Sequence, residues 1–577
     1  MSSLIAISIG PVQSFIAAAR RTRDLWFGSY MLSEISRAVA QSLESQNCKL
    51  IFPSNAKAHS VANVVQAELG GSRDPARVVE EARAAAQRRW MEFTKEARKL
   101  AGDFIVEERW SEQIGDALEL YAAWAPLDGS DYTAARARLM RLLAGRKALR
   151  DFAPGKGEFG IPKSSLDGAR ESVWKDDPAR LNFPASLARR LRLAEGEQLD
   201  AIGVTKRLAE GRRAVPSVAR IAADPWLRGA ASARPDLFRE LLEECRRLVQ
   251  QDLLGPADWP QFEVFPFEGT AVYRNRYAAW AAECGVPYGT FQALSEIVER
   301  LEEPPLGEPS PYLAILAADG DRMGRTIAGL RSAEEHRKLS AALAGFAVQA
   351  GEIVAEEHGG WLVYSGGDDV LAFLPVDRAL AAARALHDSF SAKLQALVSP
   401  GTEPPTLSVG IAVAHFMEPL EDLLNYARAA ESVAKEAPED EPGTERDGLA
   451  IHYYPRGGVA LKVRSRWSEG LDREIQQLAG LHDQNLISDK AGYDLRELAR
   501  LYKAWKTDAT FSAEAVRADA KRLLSRKRGG QQPALPESLF ESIDRVGSAR
   551  ELEKLAERIV LGRVFANAIR QARGGGK

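Results

Sequence analysis

The sequence predicts an α+β protein with two ferredoxin-like domains and two mainly helical ones, spread over 577 residues. Three observations predict it. From Pro311 to Pro455, apolar β-rich runs alternate with amphipathic stretches in the order strand, helix, hairpin, helix, strand, helix, strand. The start of the chain repeats the opening of that order as strand, long helix, strand. The chain is also far longer than one hydrophobic core can serve, so several domains are expected. The expected divisions are 1–205, a first, degenerate ferredoxin-like domain with helical insertions; 206–305, a helical domain and linker; 306–460, the second ferredoxin-like domain; and 461–577, a C-terminal helical domain.

The elements follow in order. Leu4–Ile9 is a short strand, closed by Gly10-Pro11, and a long helical pattern starts near Val12. A proline near the first helical turn is well placed, because the amide it lacks would be unpaired there. KLIFP, Lys49–Pro53, reads as the next strand, and the alanine- and arginine-rich stretch Pro75–Leu149 reads as helix. Arg150–Pro184, rich in Gly, Pro, Ser and Asp, reads as loop, and helical character returns from Ala185 to Leu254. Proline-rich Glu302–Pro311 reads as a linker.

Beyond it, PYLAILAADGD is a buried strand ending in acids, and Ala333–Glu357 is an amphipathic helix. WLVYS and VLAFLP are strands joined by GGDD, Gly366–Asp369. Helices over Arg378–Leu397 and Leu420–Lys435 flank the strand Ser408–Phe416, and LAIHYYP closes the unit. Leu461–Ala572 reads as helical throughout, and its basic run Lys521–Gly530 reads as a solvated helix face.

Composition narrows the classes. Net charge is −3, with 45% hydrophobic and 27% charged residues, so nothing global demands nucleic acid, and any such contact must be local. The three cysteines, Cys48, Cys245 and Cys284, form no CxxC pair, which argues against a disulfide scaffold or a cysteine zinc site and suits a reducing compartment. At the N-terminus the positive charges follow the apolar run and Gly-Pro interrupts it, unlike a signal peptide. No apolar run approaches the ~18 residues of a membrane span. The expectation is a cytoplasmic chain without a membrane partner.

The chemistry concentrates in GGDD. The first and third strands of a ferredoxin-like sheet are neighbours, so Asp319 and Asp321 are expected to converge with Asp368 and Asp369. Such a cluster needs protonation or a bound cation. Hard oxygen donors favour magnesium (or manganese), whose shell phosphate oxygens commonly complete. Two ions about 3.5–4 Å apart would steady both the attacking hydroxyl and the leaving pyrophosphate. Gly366 and Gly367 allow a tight turn and leave room for a triphosphate. Consecutive strand residues point to opposite faces, so this reading requires GGDD to be the turn. Lys435, at a helix end, is within reach of a triphosphate, although a dipole-favoured surface lysine has the same signature. His387-Asp388 and His482-Asp483 stand without the further histidines of a metallohydrolase, and read as structural or exposed.

These residues resemble a known family. Ser8–Glu34 is similar to the opening of the first palm in the large subunit of type III-B CRISPR effector complexes, the Cmr type. AADGDRMG (Ala317–Gly324), YSGGDDVLAF and SVGIAVAHF resemble its second, catalytic palm, and Ala427–Glu436 the helix that follows. Gly196–Leu208 resembles a segment between the palms.

The resemblance implies two palms of the nucleotidyl cyclase and polymerase type. It implies a synthase joining ATP into cyclic oligoadenylate with release of pyrophosphate, switched on when guide crRNA in the complex pairs with target RNA. It makes Asp368 and Asp369 the catalytic metal ligands, Asp319 the third acid and Asp321 a neighbour, with Ser365 and Lys435 as nucleotide contacts beside Gly366 and Gly367. Two departures stand out. Met1 lies just before the first palm, so the HD nuclease domain of many relatives is expected to be absent. Gly160–Ser172 has no cysteine where many carry a zinc module, so no zinc is expected. Two other readings stay open: a stand-alone cyclase using GTP, since GGDD also resembles the GGDEF signature, and a scaffold subunit with a vestigial palm.

Overall fold

The computed structural model describes residues 2–57, 61–71, 73–127, 131–149, 157, 159–194, 196–208, 215–257, 259–395, 397, 404–437, 443–504, 513–526 and 536–575. It is a mixed α+β structure with two sheets.

The first sheet holds β1 (Ser2–Gly10), β2 (Lys49–Phe52), β3 (Val64–Leu69) and β4 (Glu119–Leu127) in the order β2-β3-β1-β4, with every pair antiparallel. The second holds β5 (Tyr312–Gly320), β6 (Trp361–Gly366), β7 (Asp369–Leu374), β8 (Leu407–His415), β9 (Gly448–Tyr453) and β10 (Leu461–Arg466) in the order β10-β9-β8-β5-β7-β6. Its first four strands in sequence are antiparallel and occupy the same relative places as β1 to β4. β9 adds parallel to β8, and β10 antiparallel to β9. In each sheet helical segments separate the first strand from the second and the third from the fourth. The two halves share one connection pattern.

Three readings of the sequence are corrected. β3 and β4 lie where helix or nothing was expected, because VVQAEL and ELYAAWAPL carry alanine and glutamate among too few β-branched residues. β10 interrupts the stretch read as all-helical, with alternating LKVRSR burying Leu461, Val463 and Ser465. The helix expected from Val12 is two helices, Gln13–Ala17 and Thr22–Ser45. Their break has a physical cause: the buried Lys206 ammonium donates to the carbonyls of Phe15 and, at 2.9 Å, Ala18, carbonyls that a continuous helix would pair internally.

The second sheet is covered on both faces, which explains its nearly uninterrupted apolar strands. One face, carrying Ile315, Ala317, Leu371, Phe373 and Ala412, packs with the helix Leu420–Lys435 into the same core as the helix Thr22–Ser45. The other face, carrying Leu316, Ala318, Val370, Ala372 and Ile411, packs on the helices Ala333–Gly351 and Val376–Gln395 and on the C-terminal helices. Among the described residues Ala333–Glu357 is the one helix long and apolar enough by composition to cross a membrane, and Leu339, Leu343, Phe346 and Ile353 put its apolar side in this core.

The edge of the first sheet sits against the second half. Arg337 Nε donates to Leu50 O at 2.8 Å, Ser54 N to Ser340 Oγ at 2.8 Å, and Tyr132 Oη lies 2.8 Å from His336 Nδ1. At the C-terminus, Gln571 donates to Glu308 O (2.6 Å) and accepts from Ser310 N (3.1 Å), tying the helix Ala549–Ala572 to the lead-in of β5.

Candidate active site

β5 and β7 run antiparallel with Ala318 opposite Val370 and Ala317 opposite Leu371. One step further along that register, Asp319 and Asp369 stand across from each other. Both share the face of Ala317 and Leu371, because side chains two residues apart on a strand point the same way. The hairpin tip is Gly367-Asp368, between the paired Gly366 and Asp369. Gly367 has φ +77°, the glycine-first turn suited to a two-residue hairpin. The alternation problem is thus resolved: Asp369 opens a strand facing Asp319, while Asp368 occupies the turn beside it.

Close approach depends on Gly320. A Cβ there would lie 2.7 Å from Asp368 Cβ, 2.8 Å from Met323 Cγ and 2.9 Å from Phe390 Cζ, so only glycine lets the tip settle on the end of β5. A Cβ at Gly366 would meet nothing within 4 Å, so the space over that residue is open.

The acids are electrostatically strained. Asp369, open to solvent on one side, has its pKa pushed up to about 9 by burial against protein on the other, by its hydrogen bond with Asp319 and by the Asp319 charge. Asp368 is raised to about 6, by burial first and the Asp319 charge second. Asp319 is held below its ordinary value: burial pushes it up, but hydrogen bonds from Asp369 and Lys435 outweigh that. Lys435 Nζ bridges Asp319 and Glu431, one helical turn before it, and these bonds raise its pKa although burial works the other way. Tyr364 completes the face. Its hydroxyl pKa is raised to about 12 by burial and then by the Asp369, Glu431 and Asp319 charges, with Arg428 opposing.

The structure therefore brings together Asp319, Asp368, Asp369, Gly366, Gly367 and Lys435. It does not bring in Asp321 or Ser365. Asp321, 1% exposed, lies past the end of β5. Its carboxylate accepts from Thr406 Oγ1 (2.8 Å), Ser408 Oγ (2.8 Å) and Asp447 N (2.9 Å), so it braces the β8 and β9 ends instead of facing the other acids. Ser365 pairs with Val370, hence lies on the opposite face from Asp369, buried and with no hydrogen-bond partner for its hydroxyl. A register shift between Leu362 and Tyr364 reverses the parity that simple alternation from Trp361 would give. Sequence reading missed Glu431, whose i, i+4 spacing to Lys435 was the available signal, and Tyr364, which only the register places.

The donor set fits a hard divalent cation. Two carboxylates already in contact, with an ammonium at one of them as a stand-in cation, match an ion held by one or two acids and finished by phosphate oxygens. Among the described residues no three His, Cys, Asp or Glu side chains converge as a fully preformed metal cage. His387, between Asp388 and Asp447 at 2.9 Å each, and His482, 3.1 Å from Ile559 O, are engaged in contacts of their own, those to Asp447 and Ile559 joining separate segments.

The raised Asp369 pKa sets a pH dependence. Below its ordinary value of 3.8 the carboxyl is protonated in folded and unfolded chains alike; between there and about 9 only the folded chain keeps the proton. The folded state binds more protons across that window, so its stability falls as pH rises through it. In metal-free buffer the unfolding midpoint should decline from pH 4 toward pH 9, and Asp369→Asn should flatten the decline. Equal slopes for the two proteins in a calorimetric pH series would contradict the assignment.

Fold and site together point to a class of palm-bearing chains. Residues 312–443 match the family described as Cas10/Cmr2, second palm domain, and residues 4–119 match CRISPR-associated protein Cmr2, N-terminal. A curated relative, the CRISPR system Cmr subunit Cmr2 of Pyrococcus furiosus, is 33% identical over 179 residues, 26% of this chain and 20% of its own length. The match thus spans a minor part of that relative. Two solved structures share the fold at 14% identity, each covering 93% of this chain and 79% of theirs. They are the type III-B Cmr-beta complex in its apo state (TM-score 0.61) and bound to cognate target RNA (TM-score 0.64).

Proposed function

We propose that this chain is the large, Cmr2-type subunit of a type III-B CRISPR RNA-guided effector complex and that its acidic hairpin joins ATP molecules into cyclic oligoadenylate. On this reading both sheets are ferredoxin-like palms, the first degenerate and the second catalytic, with other subunits, crRNA and target RNA as partners. The family matches to both halves support membership, and the shared connection pattern of the sheets supports tandem palms. One observation carries the activity: Asp319 and Asp369 meet on one face across β5 and β7, with room over Gly366.

Asp319 and Asp369 would hold magnesium or manganese, with Asp368 at the rim. When bound, the cation supplies Lewis-acid stabilisation of the transferring phosphoryl group and the departing pyrophosphate. The chain's own residues do the rest. The turn at Gly367 holds the acids at the mouth of the open space, where a triphosphate is expected to lie. Lys435, clamped by Glu431, is positioned to exchange Asp319 for a phosphate oxygen. In the reaction a hydroxyl of one adenosine attacks the α-phosphorus of another ATP; one phosphodiester bond forms, the α–β phosphoanhydride breaks, pyrophosphate leaves and the hydroxyl proton passes to solvent.

The test is incubation of the chain with labelled ATP or GTP and magnesium, with and without the guide complex and target RNA. Target-dependent conversion of ATP to cyclic products is the expected result. Conversion of GTP by the isolated chain would replace it with the stand-alone cyclase, and inactivity in every arm with the scaffold.

A further inference from the structure

Away from the acid face, positive charge is concentrated where the first helix breaks. The link between the helices Gln13–Ala17 and Thr22–Ser45 carries Arg20 and Arg21, and Arg23 follows. Arg190 and Arg192 approach them from the end of the helix Ala185–Leu191. Arg207 lies beneath, where its Nη1 donates to Leu191 O at 2.7 Å and fixes that helix end under the link.

Among the described residues, Asp24 and Glu197 are already engaged by Arg207, Asp24 through one oxygen. Arg207 takes Asp24 at 2.9 Å and Glu197 at 3.1 Å, all three side chains 2% exposed. The second oxygen of Glu197 accepts from Ala194 N at 2.9 Å. Arg20, 48% exposed, reaches Glu197 only at 3.9 Å. Arg21 and Arg23 enter no ion pair among the described residues. Arg192 faces Glu268, which Ser217 already hydrogen-bonds and whose pKa burial raises. The like charges act on one another. Arg21 is lowered to about 10, by burial first and Arg207 second, with Asp24 and Glu197 opposing and Arg192 adding to it. Arg23 is lowered too, by burial, with Arg190, Arg192 and Arg207 adding to it while Asp24 opposes.

Crowded guanidinium groups that keep their charge raise the local positive potential, and an anion at the surface relieves it. One small anion occupies one planar fork; groups spread over two chain segments suit successive phosphates of a polymer. The net charge of −3 makes this a local feature and not a consequence of overall composition.

We propose that the Arg20–Arg23 link and the Arg190–Arg192 helix end form a phosphodiester-binding surface that receives an RNA backbone. The proposal rests on the proposed function, in which the chain works in an RNA-bearing assembly; the guide and the target strand share the chemistry. Contacts of this kind position the strand and carry no base sequence.

The experiment uses the full chain with a labelled single-stranded RNA of arbitrary sequence, its anisotropy followed over a salt series. Removing one arginine–phosphate pairing should reduce the slope of log affinity against log salt by about 0.7. Combined Arg21→Gln, Arg23→Gln and Arg192→Gln should therefore flatten it by about 2, with weaker binding at low salt. The three lysine replacements should keep most of the slope, and unfolding midpoints establish that each variant folds. An unchanged slope in the glutamine variant overturns the proposal. So does equal loss in the lysine variant, or polyglutamate binding with the same arginine dependence and affinity as RNA. In the assembled complex, a photo-crosslinker at position 20 should capture guide or target RNA, and capture of neither overturns it. Asp369→Ala separates the two readings: it should bind RNA normally while failing to convert ATP. Conversion of ATP by a wild-type chain whose RNA binding ignores the arginines would sink this surface and leave the proposed function standing.

Discussion

Asp369→Ala should lower ATP conversion by about a thousandfold or more, the scale of losing a charge-stabilising group aimed at the reacting centre. It should do so without unfolding the chain. Asp369 faces Asp319 directly and on folding takes up a proton that the unfolded chain has released at neutral pH, so a side chain without a carboxyl spares the folded state that cost. The unfolding midpoint in metal-free buffer should hold or rise. The two readouts moving in opposite directions distinguish a residue kept for chemistry from one kept for packing. Turnover above about a tenth of wild type, in the assembled and target-bound complex, would show that the Asp319–Asp369 pair is not the reacting centre.

The second large effect is expected at Gly410 on β8. A Cβ there would lie 2.1 Å from Glu431 N and 2.4 Å from Ala430 C, both helix backbone that no rotamer change can move. Gly448 on β9 is in the same position against Ala434 O, at 2.1 Å. These glycines let the helix Leu420–Lys435 lie close against the sheet, and that helix brings Glu431 and Lys435 to the acids. Gly410→Val should force the helix outward, at a cost of about 1–3 kcal/mol or more from overpacking. In calorimetry that is a drop of several degrees, about 2–4 °C per kcal/mol for a unit of this size. ATP conversion should fall with it, because Lys435 recedes from Asp319. A midpoint and activity matching wild type would mean that the helix does not rest on Gly410.

The second sheet was legible because both of its faces are buried. Runs such as YLAILAA and SVGIAVAH cannot be satisfied at a surface, and the acids at their ends stand out against them. The first sheet was half legible. β1 and β2 are apolar, whereas β3 and β4 are held by pairing with β1, and their residues are fair helix formers, so the tertiary partner decides. The acid pair followed from motif and topology, but the role of each acid needed register. Asp321 sits two residues from Asp319, a spacing that would share a face had the strand continued; it ends at Gly320, and Asp321 turns to Ser408 and Thr406. Ser365 is one residue from the glycines, and the shift near Leu362 fixes its face. Glu431 and Tyr364 enter through helix docking and strand pairing, which no local stretch encodes.

Phe52, the last residue of β2, lies 3.9 Å from where a Cβ of Gly367 would be, and its ring centroid is 6.2 Å from that of His336. The aspartate loop of one half is thus buttressed by an aromatic ring from the other. The hairpin that carries Asp368 and Asp369 therefore rests in part on a side chain of the first sheet and not on its own sheet alone.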